Sequence, residues 1–168
     1  DYIDLGTEPK ISGSELTISA WFTQQGDGLI FGGDSYSRIV SEWESSLDYL
    51  IDIVGKQGSN IQTLTFRLDS NTYTVSTEIK RNNWNHIIGT YDGTNLKLYL
   101  NGELVDEGPA PASLTASTDH TYIGTYSGGH YFNGTIDEVI VYNKSLTEEE
   151  IKDLYAKGVS NVYTQVRT

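Results

Sequence analysis

Residues 84–105 have the sequence WNHIIGTYDGTNLKLYLNGELV, in which two turn signals separate three short apolar runs. The turn signals are the Asp92-Gly93 and Asn101-Gly102 pairs, which tolerate the positive φ that tight hairpins need between paired strands. Between them, three leucines alternate with other residues: Leu96, Leu98 and Leu100. A period of two places alternate side chains on one face of a sheet. The segment therefore predicts a three-stranded antiparallel meander.

The rest of the chain repeats this pattern of short alternating segments between turns. The predicted strands outside the meander lie at 2–6, 16–23, 29–31, 39–43, 49–54, 63–68, 73–76, 121–124 and 134–142, with a loop at 32–38. In the last of these strands the apolar residues break the period of two, which predicts a bulge near Asp137 and Glu138. Many short strands separated by turns are typical of two antiparallel sheets packed face to face.

One helix is predicted near the C-terminal end. Thr147 and Glu150 match a capping box, in which each side chain accepts a hydrogen bond from the backbone N–H of the other residue. An apolar stripe at helical spacing begins at Ile151, and Gly158 is a typical helix terminator. We expect residues 158–168 to form a last strand or a tail.

The composition is that of one all-β domain. The 168 residues include 37% hydrophobic residues, 17 glycines and 12 tyrosines, a balance that many turns and strands explain better than long helices do. We predict a single domain over residues 1–168. Its fold class is all-β: a two-sheet antiparallel β-sandwich of the jelly-roll type with one short C-terminal helix.

Charge and residue usage argue against several classes of function. The net charge of −12 opposes contacts to nucleic-acid phosphates, while it suits calcium binding or solubility outside a cell. The chain has no apolar run long enough for membrane insertion, and the absence of cysteine excludes disulfides and zinc–thiolate sites. Because methionine is absent even at position 1, we expect a processed chain or a domain of a larger multidomain protein.

Four segments occur together in order: LTISAWF at 16–22, WNHIIGTYDGTNLKLYLNGELVDEG at 84–108, YIG at 122–124 and FNGTIDEVIVYNKSLTEEEIKDLY at 132–155. In combination they resemble the laminin-G-like, concanavalin A-like jelly-roll family of lectin and glucanase domains. The resemblance implies two curved antiparallel sheets, and a module of an extracellular or cell-surface protein that binds glycans or other proteins. It also implies a structural calcium on the rim. Residues 32–60 match poorly, so the resemblance assigns nothing there.

The predicted calcium site collects oxygen ligands from separate loops, because calcium takes about six to eight oxygens from carboxylates and carbonyls. Asp137 is the first candidate, since the resemblance implies that an aspartate at this motif position supplies both a side-chain and a main-chain oxygen. The Gly33-Asp34 turn would add ligands, and Asp4 or Asp1 would complete the set. The alternative is that Asp137 caps the bulge or pairs with a nearby amide.

The predicted ligand surface combines aromatic and polar residues, because sugar rings stack on aromatic faces while their hydroxyl groups need polar partners. Two loops, at 34–43 and 126–131, carry both kinds of residue. The candidate ligand-binding residues are Tyr36, Trp43, Tyr126, His130 and Tyr131. The alternative for any aromatic residue is packing, and Trp21 and Trp84 are predicted to lie in the core.

No catalytic residue is predicted. Retaining glycosidases use two carboxyl groups about 5 Å apart, and the Glu-x-Asp-x-x-Glu pattern of the related glucanases is missing. Glu42 and Glu44 share one face of an extended segment, which a solvated edge explains better. His86 is predicted to be packed or hydrogen-bonded in the core, and His120 and His130 lack a Ser–His–Asp arrangement.

The sequence thus favours a non-catalytic extracellular recognition module. The first hypothesis is a lectin-like, carbohydrate-binding domain with a structural calcium as its cofactor and a glycan or cell-surface glycoprotein as its partner. A cell-adhesion domain that binds a protein partner is the first alternative. A glycoside hydrolase whose site the motifs do not reveal is the second.

Overall fold

The computed structural model describes residues 1–7, 12–42, 49–69, 72–114, 118–125 and 129–165, with side chains in its helix described as far as Ser160. Within these ranges it contains twelve strands and one helix. In chain order the strands are β1 (Ile3–Asp4), β2 (Leu16–Gln24), β3 (Leu29–Phe31), β4 (Asp34–Glu42), β5 (Tyr49–Lys56), β6 (Ile61–Leu68), β7 (Tyr73–Lys80), β8 (Asn85–Tyr91), β9 (Asn95–Leu100), β10 (Glu103–Pro109), β11 (Thr121–Ile123) and β12 (Gly134–Tyr142). The helix is α1 (Glu148–Gln165). No described helix is long and apolar enough to span a lipid bilayer.

The strands form two antiparallel sheets that pack face to face. One sheet has seven strands in the order β1-β11-β4-β5-β6-β7, with β3 also paired to β4. The other has five strands in the order β10-β9-β8-β2-β12. Strands distant in sequence are neighbours in both sheets, as in a jelly roll. The predicted all-β sandwich with a C-terminal helix is confirmed.

The hydrophobic core lies between the two sheets. Strands of both sheets contribute completely buried side chains, among them Ile18, Phe22, Ile51, Ile53, Leu64, Phe66, Leu96 and Leu98. The predicted meander is present as β8, β9 and β10, and Leu100, its third leucine, packs against the margin of the core. Burying one such side chain contributes about 1.5–3 kcal/mol to stability. The alternate apolar residues of the strands therefore hold the two sheets together through their burial.

A glycine at the centre of the core makes room for an aromatic ring. A Cβ atom on Gly89 of β8 would lie 2.6 Å from the ring of Phe66 on β6. Carbon atoms in contact are normally about 3.5–4 Å apart. The ring of Phe66 therefore occupies the space that any larger residue at position 89 would need.

Helix α1 lies on the outer face of the five-stranded sheet. The side chain of Thr147 accepts a hydrogen bond from the N–H of Glu150 (3.3 Å), whose carboxylate accepts one from the N–H of Thr147 (2.9 Å). The predicted capping box is confirmed. Ile151 is completely buried against Ile88 and Tyr99 of the sheet in a second apolar cluster. We call this surface of the sheet the helix-covered face.

Three stacked rings add to the contact between helix and sheet. Trp21 and His86 pair across β2 and β8 with their ring centroids 4.8 Å apart. Tyr155 of the helix stacks on them at 5.6 and 5.9 Å. Trp21 is buried, as predicted. It lies beneath the helix, however, and not between the two sheets.

The helix continues past Gly158 to Gln165, so the predicted stop at this glycine is wrong, as is the predicted strand or tail over the described residues that follow it. A Cβ atom on Gly158 would lie 2.3 Å from Nε1 of Trp21. The glycine lets the helix approach the indole ring. A sequence alone does not distinguish a glycine at such a close contact from a glycine that ends a helix.

Strand β4 begins at Asp34, so most of the loop predicted at 32–38 is in fact a strand. The sequence hides this strand because its inward positions are serines. The hydroxyl of Ser35 accepts a hydrogen bond from the N–H of Gly28 (3.0 Å), and the hydroxyl of Ser37 accepts one from Nε2 of Gln24 (3.4 Å). Hydrogen bonding takes the place of hydrophobic burial at these two positions.

Trp84 precedes β8 and does not belong to it. Its side chain is 45% exposed, so the prediction of a core tryptophan is wrong. The strand begins one residue later, at Asn85, and the turn that connects β7 to β8 leaves the indole ring at the surface.

The predicted bulge in β12 is confirmed. The pairing of β12 with β2 shifts between Asp137 and Ile140, and Glu138 has a φ of 48°. Oδ1 of Asp137 accepts a hydrogen bond from the N–H of Glu138 (2.8 Å). Asp137 therefore caps the bulge, which is the alternative role that its position in the sequence suggests.

Candidate functional site

The outer face of the seven-stranded sheet carries polar and charged side chains. Successive strand residues point to opposite faces, so the neighbours of the buried Ile51, Ile53 and Leu64 point away from the core. The outward side chains in the middle of this sheet are Tyr36, Arg38, Asp52, Thr63, Thr65, Arg67 and Glu78. We call this surface the polar face.

A charged network lies at the centre of the polar face. The carboxylate of Asp52 is completely buried and contacts Nη1 of Arg38 at one oxygen. Its other oxygen accepts a hydrogen bond from Thr65 and lies 3.3 Å from Nε of Arg67. That Nε also donates a hydrogen bond to Thr65 (2.9 Å). Asp52 thus fixes two guanidinium groups, whose side chains are 11% and 21% exposed.

His130 lies beside this network. Its carbonyl accepts a hydrogen bond from the N–H of Arg38 (3.1 Å), and its ring lies 5.8 Å from the ring of Tyr36. Burial lowers the pKa of His130, and the positive charge of Arg38 lowers it further, while Asp52 opposes this with a smaller effect. The neutral form of the imidazole is therefore favoured at pH 7.

A cleft of about 600 Å³ opens next to His130. Residues 25, 27–29 and 129–134 line it, with apolar walls from Leu29, Tyr131 and Phe132 and polar groups from Gln25, Asp27, His130 and Asn133. Volumes of about 300–1,000 Å³ with a few polar groups are typical of small-molecule sites. We call this depression the rim cleft.

The polar groups of the rim cleft are held in place. Asp27 accepts hydrogen bonds from Arg81 and from the N–H of Gly58 (3.0 Å). The bond from Arg81 is the main reason that the pKa of Asp27 lies below its usual value. Nδ2 of Asn133 donates to the carbonyl of Asp27 (3.2 Å). The two walls of the cleft are thus joined by a hydrogen bond.

Three tyrosines gather beside the rim cleft. The ring of Tyr2 lies 6.5 Å from that of Tyr122 and 6.2 Å from that of Tyr131. Tyr2 is 51% exposed and Tyr131 47% exposed. We call these three residues the tyrosine cluster. Sequence reasoning misses Tyr2 as a site residue, since only the pairing of β1 with β11 brings it there.

The structure brings together part of the predicted ligand-binding set. Tyr36 and His130 are neighbours on the polar face, and Tyr131 belongs to both the rim cleft and the tyrosine cluster. Trp43 and Tyr126 lie outside the described residues. Arg38, Asp52 and Arg67 are not found by sequence reasoning, because a charged residue in an alternating strand gives no signal that distinguishes it from a solvated one.

The structure does not bring the predicted calcium ligands Asp34 and Asp4 together. Asp34, which follows Gly33 in a turn, pairs with Lys56 (2.7 Å), whereas Asp4 pairs with His120 (2.9 Å). Asp34 is the first residue of β4, whereas Asp4 pairs with β11 at the level of Ser41, near the other end of β4. About seven residues of extended strand, or about 23 Å, separate these two positions. Asp137 lies in the other sheet, and the alternative ligand Asp1 lines a depression together with residues 134–136 of the same strand. Among the described residues, no group of three or more His, Cys, Asp or Glu is placed to hold a metal.

The remaining acidic and histidine candidates have structural surroundings. Glu42 is 3% exposed, so the expected solvated edge is wrong there, and Glu44 lies outside the described residues. His86 is 1% exposed and shares a hydrogen bond of 2.8 Å with Ser19, which confirms the predicted core histidine. Burial lowers the pKa of His86 to about 4. Because helix α1 covers this pair, no substrate reaches it.

The chain belongs to the concanavalin A-like lectin/glucanase superfamily, since the model of its Laminin_G_3 family matches residues 1–152. This confirms the resemblance inferred from the sequence. No curated protein matches the chain significantly.

Solved structures share the fold at low sequence identity. The native heptameric SAP-like pentraxin from Limulus polyphemus has a TM-score of 0.66 and 15% identity, with 92% of this chain and 80% of the pentraxin covered. Domain 4 of AbnA, a GH43 extracellular arabinanase from Geobacillus stearothermophilus, in complex with arabinotriose, has a TM-score of 0.67 and 20% identity, with 92% and 72% covered. The CBM40 of the Ruminococcus gnavus IT-sialidase, bound to α2,3-sialyllactose, has a TM-score of 0.67 and 16% identity, with 92% and 91% covered.

Proposed function

We propose that this domain is a non-catalytic carbohydrate-binding module of an extracellular or cell-surface protein. The observation that carries the proposal is the position of the tyrosine cluster at the edge of the rim cleft. Tyr131 is common to both, so a ligand in the cleft lies against an exposed aromatic ring.

The chemistry of these surfaces suits a sugar. Aromatic rings offer flat apolar faces for the C–H side of a pyranose or furanose ring. The side chains of Gln25 and Asn133 and the carboxylate of Asp27 supply donors and acceptors for hydroxyl groups in the same cleft. Because hydrogen bonds already fix the side chains of Asp27 and Asn133, these two lose little side-chain freedom on binding.

The relatives support the same class of function. Two of the structures with this fold carry an oligosaccharide, one with arabinotriose and one with α2,3-sialyllactose. One of them belongs to an extracellular enzyme. A net charge of −12 fits a soluble module outside the cell. Its partner would be a glycan or a cell-surface glycoprotein.

A glycan array tests the proposal with two variants of the cluster, Tyr131→Ala and Tyr2→Ala. Each removes one exposed ring, and we expect about a tenfold loss of affinity per ring, since ring contacts of this kind contribute about 0.5–1.5 kcal/mol beyond buried area. Leu104→Ala is the matched control, because Leu104 is equally exposed (43%) but lies on the far edge of the five-stranded sheet. Unchanged binding by both tyrosine variants, with folding intact, would remove the cluster from the site.

A protein partner is the second candidate, and one feature favours it. Leu29, Ile30 and Phe31 form an edge strand whose side chains are 45%, 38% and 74% exposed. Exposed apolar patches often mark interaction surfaces. Phe31→Ser should abolish capture of a surface protein from a binding panel if this strand is the contact. It should leave glycan binding unchanged if the tyrosine cluster is the site.

Calcium binding stays a prediction, although the structure places Asp34 far from Asp4 and puts Asp137 in the other sheet. Asp137 is the first candidate ligand. Thermal unfolding in calcium and in chelator tests it, since a ligand that binds the folded state raises the melting temperature by mass action. Equal melting temperatures would dismiss a structural calcium.

A further inference from the structure

We propose that the glycan bound by this domain carries a carboxylate, and that Arg38 and Arg67 bind this carboxylate on the polar face. The inference rests on the proposed carbohydrate-binding function and names the chemical class of its ligand, a sugar acid. It assigns a role to the charged network that neither the motifs nor the family membership provides.

The network lies between two depressions of the surface. On one side, Arg38 adjoins His130, which lines the rim cleft. On the other side, Arg67 lines a groove of about 540 Å³ above β5, β6 and β7. A glycan that extends from the cleft across the sheet therefore passes directly over the two guanidinium groups. The buried Asp52 lies beneath them.

Asp52 orients the guanidinium groups before any ligand arrives. It contacts Arg38 through one oxygen and Arg67 through the other, and Thr65 bonds to both Asp52 and Arg67. A planar guanidinium group matches the geometry of a carboxylate and often binds it through two parallel hydrogen bonds. Groups that are already fixed lose little conformational entropy on binding, which raises affinity.

The network holds two guanidinium groups around one carboxylate, so its charges favour an anion although the chain as a whole is acidic. Arg38 lowers the pKa of His130 more than Asp52 raises it, in keeping with this balance. One acidic side chain at each depression lies in an ion pair, Asp27 of the rim cleft with Arg81 and Asp34 of the groove with Lys56. Glu78 also lines the groove, but it lies on β7, three strands away from Arg38 on β4.

Stability alone does not account for this arrangement. Buried ion pairs are costly to desolvate, and hydrophobic residues in their place are often equally stabilising. The apolar cluster on the opposite face, with Ile88, Tyr99 and Ile151, shows that this sandwich covers an outer face with apolar contacts where only packing is needed. The two arginines held around one buried aspartate therefore favour a role in ligand binding.

Titration calorimetry with paired probes tests the proposal. The probes are trigalacturonate and 3′-sialyllactose, each beside its carboxyl methyl ester, which keeps the sugar and removes the charge. We expect the wild-type chain to bind at least one acid about tenfold or more tightly than its ester, since hydrogen bonds to charged groups contribute about 1.5–3 kcal/mol. This preference should shrink as salt is raised.

Variants locate the preference. Arg67→Gln should abolish the difference between acid and ester while the affinity for the ester stays within about twofold. Arg38→Lys keeps the charge but loses the planar fork, so it should retain only part of the difference. Lys97→Gln is the matched control, because it removes one positive charge from β9 on the other sheet and should leave the preference intact. Far-ultraviolet circular dichroism and melting confirm folding.

Each outcome decides between the two claims. Equal affinity for acid and ester overturns the sugar-acid inference and leaves carbohydrate binding in place. A preference that survives in both arginine variants also overturns it, since the carboxylate then lies elsewhere. Failure to bind the acid probes while neutral glycans on the array bind overturns only the sugar-acid inference. Failure to bind any glycan, on the array or among the probes, overturns the proposed function together with this inference.

Discussion

The two outer faces of this sandwich differ in chemistry although the same core supports both. The helix-covered face of the five-stranded sheet is apolar and closed, with Ile151 completely buried and three rings stacked between helix and sheet. The polar face of the seven-stranded sheet presents arginine, histidine and tyrosine beside a cleft. The contrast teaches that the helix closes one outer face with apolar contacts, while the opposite face keeps its charged and polar side chains.

Truncation of the buried contact should have the largest effect on this contrast. Ile151→Ala removes a completely buried side chain, and we expect the free energy of unfolding to fall by about 2–4 kcal/mol. Thr63→Ala on the polar face is the control and should change stability by no more than about 0.5 kcal/mol. Urea unfolding measures both. Similar losses in the two variants would mean that the faces do not differ in their contribution to stability.

Acid should weaken the helix-covered face through His86. Burial lowers its folded-state pKa from 6.5 to about 4. Above pH 6.5 the ring is neutral in both states and the stability is complete. As the pH falls towards 4, the unfolded chain binds a proton that the folded chain does not, so stability should drop by about 3 kcal/mol.

Urea unfolding between pH 7 and pH 4 checks this, with His86→Gln as the comparison. Carboxyl groups also titrate at the lower end, and they do so in both proteins. The difference between the two pH profiles therefore isolates the histidine. Profiles of equal slope would contradict a buried neutral His86.

A methyl group at the helix–indole contact should have a smaller effect. Gly158→Ala improves helix propensity by about 1 kcal/mol, but its Cβ would lie 2.3 Å from Trp21. Overpacking of this kind costs about 1–3 kcal/mol, so we expect a net loss of stability. We also expect the tryptophan fluorescence to change, because the helix is displaced from Trp21. Ala156→Gly at an exposed position of the same helix is the control and should lose only the propensity. A more stable Gly158→Ala protein would show that the contact is loose.

The smallest expected effect lies at the start of the helix. Thr147→Ala removes the capping hydrogen bond to Glu150 and should lower stability by about 1 kcal/mol. Thr147→Ser keeps the hydroxyl group and should restore most of the loss. Thermal unfolding of the three proteins is sufficient, and an alanine variant that melts with the wild type would argue that the capping box does not stabilise the helix.

Much of the fold follows from local sequence, and much of the site does not. The meander, the capping box and the bulge at Asp137 each depend on residues close together in the chain, so their patterns predict them. The strand at Asp34 is missed because buried serines replace apolar residues. The site depends on register between distant strands, which brings Tyr2 to Tyr131 and Arg38 to Arg67. No pattern within one segment encodes such pairs.

The tip of the β9–β10 hairpin has a chemical consequence. In an open chain, an asparagine followed by glycine cyclises onto the next amide nitrogen and loses ammonia. Here Oδ1 of Asn101 accepts a hydrogen bond from the N–H of His86 (2.8 Å), and Gly102 lies against the ring of Tyr155. These contacts hold the side chain away from that reaction. The rate of deamidation at this bond in stored protein would therefore report how often the hairpin opens locally beneath the helix.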